Sequence, residues 1–285
     1  MKFENTQVMN FGNALRGMRN PKESWHLSDS FFGLVNYEYE DTNLEEVSYN
    51  WMKKYYPNMD DSSEEWEDKE YEYENWLINN GTLQKNPDQY LAEVAYIGPN
   101  DMDLAQRLIK AGNEHRKFMR QIFVSVNITA PLYWWKEFDT YKVGTVANST
   151  STMHKLASKP ITLDCFEIDD YDKEAACLPG YTFNFTETLI NYCETLRVKY
   201  LETKDVRYWK ELVRWLPEGW LQTRTVTLNY ENLLAICSKS QRRDHKLNEW
   251  SGKHTPVDES FIQWARTLPY AQELIFIDEQ DKQEL

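Results

Sequence analysis

The sequence predicts an α+β fold, and three observations carry that prediction. Ile122, Val124, Val126 and Ile128 alternate with Phe123, Ser125, Asn127 and Thr129, and a second alternating stretch runs over Leu221–Leu228; a period of two marks a half-buried strand. Other segments open on Asn or Asp and then repeat apolar residues at helical spacing. Lastly, 285 residues that are 41% hydrophobic and 14% aromatic bury enough apolar surface for a large core.

Taken in order, Lys2–Phe11 reads as a strand and Asn13–Met18 as a helical turn. Residues 37–95 form an acidic segment whose aromatics, among them Tyr49, Trp51, Tyr55, Tyr56, Trp66, Tyr71, Tyr73 and Trp76, predict an inserted lobe that packs on the body. Asn100 after Pro99 is a candidate N-cap, with Asp101 and Asp103 suited to a first turn. Leu104, Ala105, Leu108 and Ile109 then place a helix over Asp103–Lys117, weakest at Gly112. After the first strand, Thr129-Ala130-Pro131 starts a helix with proline in its first turn, and Leu132–Phe138 gives it an aromatic face. Trp134 and Trp135 belong to the core or to a subunit interface. Val143–Thr152, small and hydroxylated without periodicity, reads as a loop of the kind that lines ligand sites. Asn184 caps a helix running to Lys204, and Asp205 caps Val206–Leu216, which Pro217 ends. Past the second strand Asn229 caps a helix to Lys239, and Thr255-Pro256-Val257-Asp258 opens the last one. No repeat or low-complexity linker divides the chain, so residues 1–285 read as one domain with the lobe inserted.

The net charge is −14, and it is concentrated. Between Tyr37 and Leu77 fourteen acidic residues face three lysines, so this stretch carries −11 of the total. An acidic surface opposes duplex nucleic acid, whose binding depends on neutralising phosphates. The acidic face is either solvated or a dock for a basic partner. No apolar run reaches the roughly 18 residues of a membrane span, and no leader pattern opens the chain. The scattered Cys165, Cys177, Cys193 and Cys237 frame no zinc site and read as buried free thiols, which predicts a cytoplasmic protein without metal. P-loop, dinucleotide-fold and zincin signatures are missing from the sequence.

Four features resemble one family. Gly112-Asn113-Glu114-His115 is similar to a Gly-His motif; Ile122–Thr129 with Ala130-Pro131 is similar to a strand and an Ala-Pro helix start. Lys136-Glu137-Phe138-Asp139-Thr140-Tyr141-Lys142-Val143-Gly144-Thr145 falls where the family has Arg-Gln-x-x-Arg-His-Arg-x-x-Ser. Leu216-Pro217, Thr227-Leu228-Asn229 and Leu233 follow a Leu-Pro…Thr-x-Asn…Leu run, with Arg242 or Arg243 and His245 beyond it. Together they resemble the flavin-dependent thymidylate synthases, the ThyX family, over roughly residues 96–155 and 195–250. The resemblance implies a small central sheet flanked by long helices. It also implies a homotetramer with sites between subunits, and transfer of a one-carbon unit to dUMP or a relative. FAD would be the cofactor, and NADPH and methylenetetrahydrofolate the cosubstrates. Carried over residue by residue, it assigns His115, Tyr141, Lys142, Thr145, Asn229 and His245 to the cofactor. Glu137, Asn148, Thr150, Ser151, Thr152, Arg214 and Arg242 fall to the nucleotide.

The departures are chemical. The Arg-His-Arg positions hold Thr140-Tyr141-Lys142, the Ser-x-Arg of the loop is Thr150-Ser151-Thr152, and the Arg after the Asn is Glu231. The Glu five residues after the His is Arg120. Each charge-assisted contact contributes roughly 1.5–3 kcal/mol, so three lost without replacement weaken anion binding by roughly 4–9 kcal/mol. Three readings stay open: a diverged enzyme, a noncatalytic nucleotide binder, and an interaction protein that uses the acidic lobe.

Overall fold

The computed structural model describes residues 1–36, 48–49, 52–53, 56–71, 91–168, 171–173, 177, 184–253 and 260–280. The fold is mixed helix and sheet. Its strands are β1 Lys2–Met9, β2 Phe31–Asn36, β3 Leu91–Tyr96, β4 Phe123–Pro131, β5 Val146–Ser149 and β6 Leu221–Asn229. Four of them form one sheet in the order β1-β4-β6-β5, while β2 and β3 pair as a separate antiparallel ribbon. The chain divides into two compact units, one of residues 1–6, 125–228 and 239–264, the other of 7–124, 229–238 and 265–285.

In the first unit Trp134, Trp135, Phe138, Trp250 and Phe261 are all buried. Trp134 lies 4.5 Å from Trp250 and stacks at 5.1 Å on Phe138. Rings of this size remove much apolar surface from water, so this cluster fixes where residues 132–141 and 242–250 run. Pro131 is the N-cap of helix Leu132–Phe138 rather than a residue of its first turn, because β4 continues through it. The two long helices, Phe185–Thr203 and Val206–Trp215, begin where the sequence places them: the Asn184 and Asp205 side chains accept from the backbone N–H of Glu187 and Arg207. They share an apolar core of Ile190, Cys193, Leu196 and Leu212.

The expected loop over Val143–Thr152 is corrected. Residues 146–149 add to the edge of β6 in antiparallel register, Val146 opposite Thr227 and Asn148 opposite Thr225, and helix Thr152–Lys155 follows. All four β5 residues are exposed, so no buried face stamps a period on the sequence.

In the second unit the helix placed over Asp103–Lys117 spans Pro99–Lys110 instead. Asn100 is not its cap. Gly98 holds that position, and the Asp29 carboxylate accepts from the Asn100 and Asp101 N–H groups at 2.8 and 3.1 Å. A Cβ at Gly98 would collide with that carboxyl. The helix stops because Gly112 takes φ +105°, and residues 117–121 resume as a 3-10 turn. Asp101 is fully buried and accepts from Arg19 Nε at 2.5 Å and from Ser28 and Ser30 Oγ at 2.6 and 2.5 Å. Asn229 caps helix Tyr230–Ile236, shorter than the expected run to Lys239, in a reciprocal box with Asn232.

Within the acidic segment Met52 and Trp66 are buried, Tyr49 packs 5.7 Å from Trp66, and Lys53 pairs with Asp61 at 2.6 Å. Trp51, Tyr55, Tyr73, Trp76 and Thr255–Asp258 lie outside the described residues. Cys193 and Cys237 are buried as expected, but Cys165 and Cys177 are only half-buried. Among the described residues no helix is long and apolar enough to cross a membrane, and no trio of His, Cys, Asp or Glu side chains is placed to hold a metal ion.

Candidate functional site

Helix Leu132–Phe138 turns Trp134 and Trp135 into the core, which leaves Glu137 at its last turn and Tyr141 four residues on. Both meet the segment that carries Arg242, His245 and Trp250. Glu137 Oε2 accepts from Arg242 Nη1 at 2.7 Å and from Trp250 Nε1 at 2.9 Å. Arg242 Nε donates to Tyr141 Oη at 2.9 Å, and its guanidinium lies 4.9 Å above the Trp250 ring. Four of the candidate residues, Glu137, Tyr141, Arg242 and His245, thus form one group.

His245 Nε2 sits 3.8 Å from Glu137 Oε2, near enough for an ion pair if the ring were charged. Burial lowers the imidazole pKa; Glu137 works the other way, and Arg242 and Lys246 add to the lowering. Burial prevails, so the ring is neutral at neutral pH. Its Nδ1 accepts from the Leu247 N–H at 3.2 Å, which leaves the proton on Nε2, the nitrogen nearer Glu137.

A second group stands beside the first in the same unit. Arg224 on β6 donates to Asp139 Oδ1 at 2.8 Å and to Gln222 Oε1 at 3.0 Å, with its guanidinium 4.2 Å over Trp135. Gln222 Nε2 reaches the Thr150 carbonyl and Thr152 Oγ1 at 3.0 and 3.2 Å. Sequence reasoning missed Gln222 and Arg224. A signal was available: both are polar, yet they fall in phase with the buried Val226 and Leu228 on one face of β6.

The remaining candidates are spoken for or exposed. Thr145 Oγ1 donates to the Tyr141 carbonyl. Ser151 caps helix Thr152–Lys155, accepting from the His154 N–H at 3.2 Å. Asn148 is exposed in β5, and Lys142 is exposed and makes no ion pair among the described residues. Arg214 pairs with Glu211 on its own helix. His115 and Asn229 belong to the second unit, where His115 is exposed and the buried Asn229 spends its Oδ1 on the helix cap.

The same unit holds the exchanged charges. Arg116 Nε donates to Glu231 Oε1 at 3.3 Å, and Arg120 grips both oxygens of that carboxylate. Burial works to raise the Glu231 carboxyl, but the hydrogen bonds from Arg120 and Arg116 outweigh it and hold the pKa below the usual carboxylate range. The positions at which the resemblance expects Glu and Arg are therefore partners here with their signs reversed.

No protein-family profile and no curated protein matches the sequence. Among solved structures the chain is similar to the flavin-dependent thymidylate synthase ThyX of Helicobacter pylori complexed with FAD and dUMP. The identity is 14% and the TM-score 0.43, over 86% of this chain and 98% of that one. It is also similar to the UMP/dUMP methylase PolB of Streptomyces cacaoi bound with 5-Br dUMP, at 13% identity and TM-score 0.42, over 88% and 96% of the two chains. Likeness at this level assigns neither family nor activity.

The FAD that the resemblance implies brings a diphosphate, which needs cationic donors not already committed. Around Tyr141 Arg242 is held by Glu137, Arg224 by Asp139 and Lys136 by Glu218 at 2.6 Å. Of these cations and Lys142, only Lys142 makes no ion pair among the described residues, one charge for two phosphates, so the residues present there do not fit that group.

Proposed function

We propose that this chain recognises the pyrimidine nucleoside part of a nucleotide such as dUMP. On this reading it is a diverged relative of the flavin-dependent thymidylate synthases that no longer holds the flavin. The observation that carries the reading is the meeting of Glu137 and Tyr141 with Arg242 and His245, drawn from two motif stretches 105 positions apart. Nothing in their local sequence requires that meeting. The group offers what a pyrimidine nucleoside needs: a carboxylate oxygen and a phenol for its N–H and O–H donors, and a neutral Nε2–H for a carbonyl. By the same resemblance we propose a homo-oligomer. The exposed Phe185, Val206 and Trp215 on the two long helices offer apolar surface for it.

A second reading, which the resemblance implies, is a working enzyme using FAD, NADPH and methylenetetrahydrofolate. An absorbance scan of freshly purified protein separates the two, because a bound flavin gives a blue band and the proposed state gives none. Thermal shifts then test the ligand class. A pyrimidine ligand at a hundredfold excess over its Kd adds about 2.7 kcal/mol, several degrees in Tm. Equal stabilisation by purine and pyrimidine nucleosides defeats the proposal.

A further inference from the structure

The four-stranded sheet ends on two unlike edges. At one of them β1 carries Lys2 and Glu4 and takes a left-handed backbone at Asn5, φ +54°. Charge and a local kink are the usual guards against a further strand adding on. At the other edge β5 has neither. Val143–Thr152 holds no charged residue and no proline, and all four β5 residues are exposed, Val146 by 67%. The register tells which backbone groups are open. The Thr150 N–H donates to the Thr223 carbonyl at 2.9 Å, and Asn148 and Val146 stand in the same phase opposite Thr225 and Thr227. Antiparallel pairing alternates, so the N–H and C=O groups of Ala147 and Ser149 point away from β6. Among the described residues they have no partner. A row of outward main-chain donors and acceptors is recognised by another extended backbone.

We propose that the open edge of β5 seats a second copy of this chain, whose own β5 adds antiparallel about a two-fold axis at Asn148. The positions of the open groups favour a copy. Ala147 and Ser149 flank Asn148, so one register sets Ala147 against the partner's Ser149 and Ser149 against the partner's Ala147, each pair exchanging both N–H···O bonds. Charge favours it too. With a net charge of −14 two copies repel, and this neutral run is a surface on which they meet without opposing like charges. A charged partner finds nothing here to read. The side chains are self-complementary as well. Asn148 faces the partner's Asn148, and an amide both donates and accepts. Val146 faces the partner's Thr150, a β-branched pair that suits a sheet surface. The proposal goes beyond the homo-oligomer proposed above, because it uses a surface other than the apolar residues of the two long helices. Two different two-fold contacts build a closed tetramer, whereas one alone builds a dimer.

Mild oxidation of Asn148→Cys in the full chain, read on a non-reducing gel, tests the axis. Opposite residues that exchange no hydrogen bonds lie about 4.5 Å apart at Cα, within disulfide reach. Asn148→Cys therefore gives a covalent dimer, while wild type and the equally exposed Lys142→Cys do not. Sedimentation over a concentration series tests the edge. Ala147→Pro removes an N–H that points away from β6, so the chain keeps its own sheet. It raises the dissociation constant of the β5 contact by about ten- to a hundredfold, the worth of the two symmetry-related hydrogen bonds lost. Asn148→Lys sets like charges face to face and weakens the contact without touching the backbone, which keeps the test open if the proline variant fails to fold. Absence of the Asn148→Cys cross-link, or association unchanged in the substituted chains, overturns the proposal. An oligomer that persists in that case leaves the homo-oligomer above standing on another surface. A monomer at every concentration overturns both.

Discussion

Replacing Asp101 by Asn keeps the size of the side chain and removes one charge from the most thoroughly buried ion pair described. Asp101 is 0% exposed and Arg19 5% exposed, so neither group keeps much water to fall back on. In the wild type one carboxylate oxygen receives Arg19 and the other receives Ser28 and Ser30. The Asn side chain keeps its oxygen for Arg19 and turns its NH2 to the Ser28 and Ser30 hydroxyls, which can rotate to accept, so what is lost is the counter-charge of Arg19. A buried arginine without its counter-charge costs about 3–5 kcal/mol, and this site falls in that range because no second carboxylate touches Arg19 among the described residues. In a chain of this size, 1 kcal/mol moves Tm by roughly 2–4 °C, which gives a fall of about 6–20 °C. Urea unfolding followed by circular dichroism reads the stability, and unchanged m-values show that the same transition is compared. Arg19→Met in the Asp101→Asn background should cost less than the two changes made separately, by at least about 1 kcal/mol. A loss below about 1 kcal/mol for Asp101→Asn, or strict additivity of the pair, would refute the reasoning.

Four further outcomes follow from the geometry. The His245 imidazole pKa is lowered in the folded chain, so between that value and the ordinary 6.5 or so the unfolded state binds more protons, and stability falls as pH drops through this window; the urea midpoint of His245→Gln should change less over that range than that of wild type. Asn229→Ala should cost about 1–2 kcal/mol, measured as a shift in urea midpoint, because it removes one half of a reciprocal cap at a buried helix start. Cys193, pushed up to about 11 by burial, should resist alkylation in the native state, while the half-buried Cys165 and Cys177 react; mass spectrometry of iodoacetamide-treated protein reads both. Arg120→Glu and Glu231→Arg should each lower Tm, and the double exchange should restore only part of the loss, because Arg120 and Glu231 are direct partners while Arg116, which also meets Glu231, is left facing an arginine.

What the sequence made legible was local. The alternation through Ile128 is visible because one face of β4 is buried, and Asn184 and Asp205 cap helices from positions adjacent to them. Elements that depend on distant partners were not legible. Helix Pro99–Lys110 is capped by a carboxylate 71 positions earlier, so the nearer Asn100 misleads. Strand β5 exists through its pairing with β6, and its exposed residues carry no period. The site divides the same way. Motif spacing named Glu137, Tyr141, Arg242 and His245, but not that Arg242 is occupied by Glu137, nor that Arg120 and Glu231 meet across 111 positions. Those are tertiary facts with no local signature. They pair the cations of the motif stretches with carboxylates of the same chain.

Crystals soaked in deoxyuridine test the central claim most directly. Recognition by the Glu137–Tyr141–Arg242–His245 group predicts difference density for a pyrimidine whose N–H or O–H lies within hydrogen-bond distance of Glu137 Oε1, with the Arg242–Glu137 contact intact. Density that binds elsewhere, or that enters only after Arg242 has left Glu137, would contradict it.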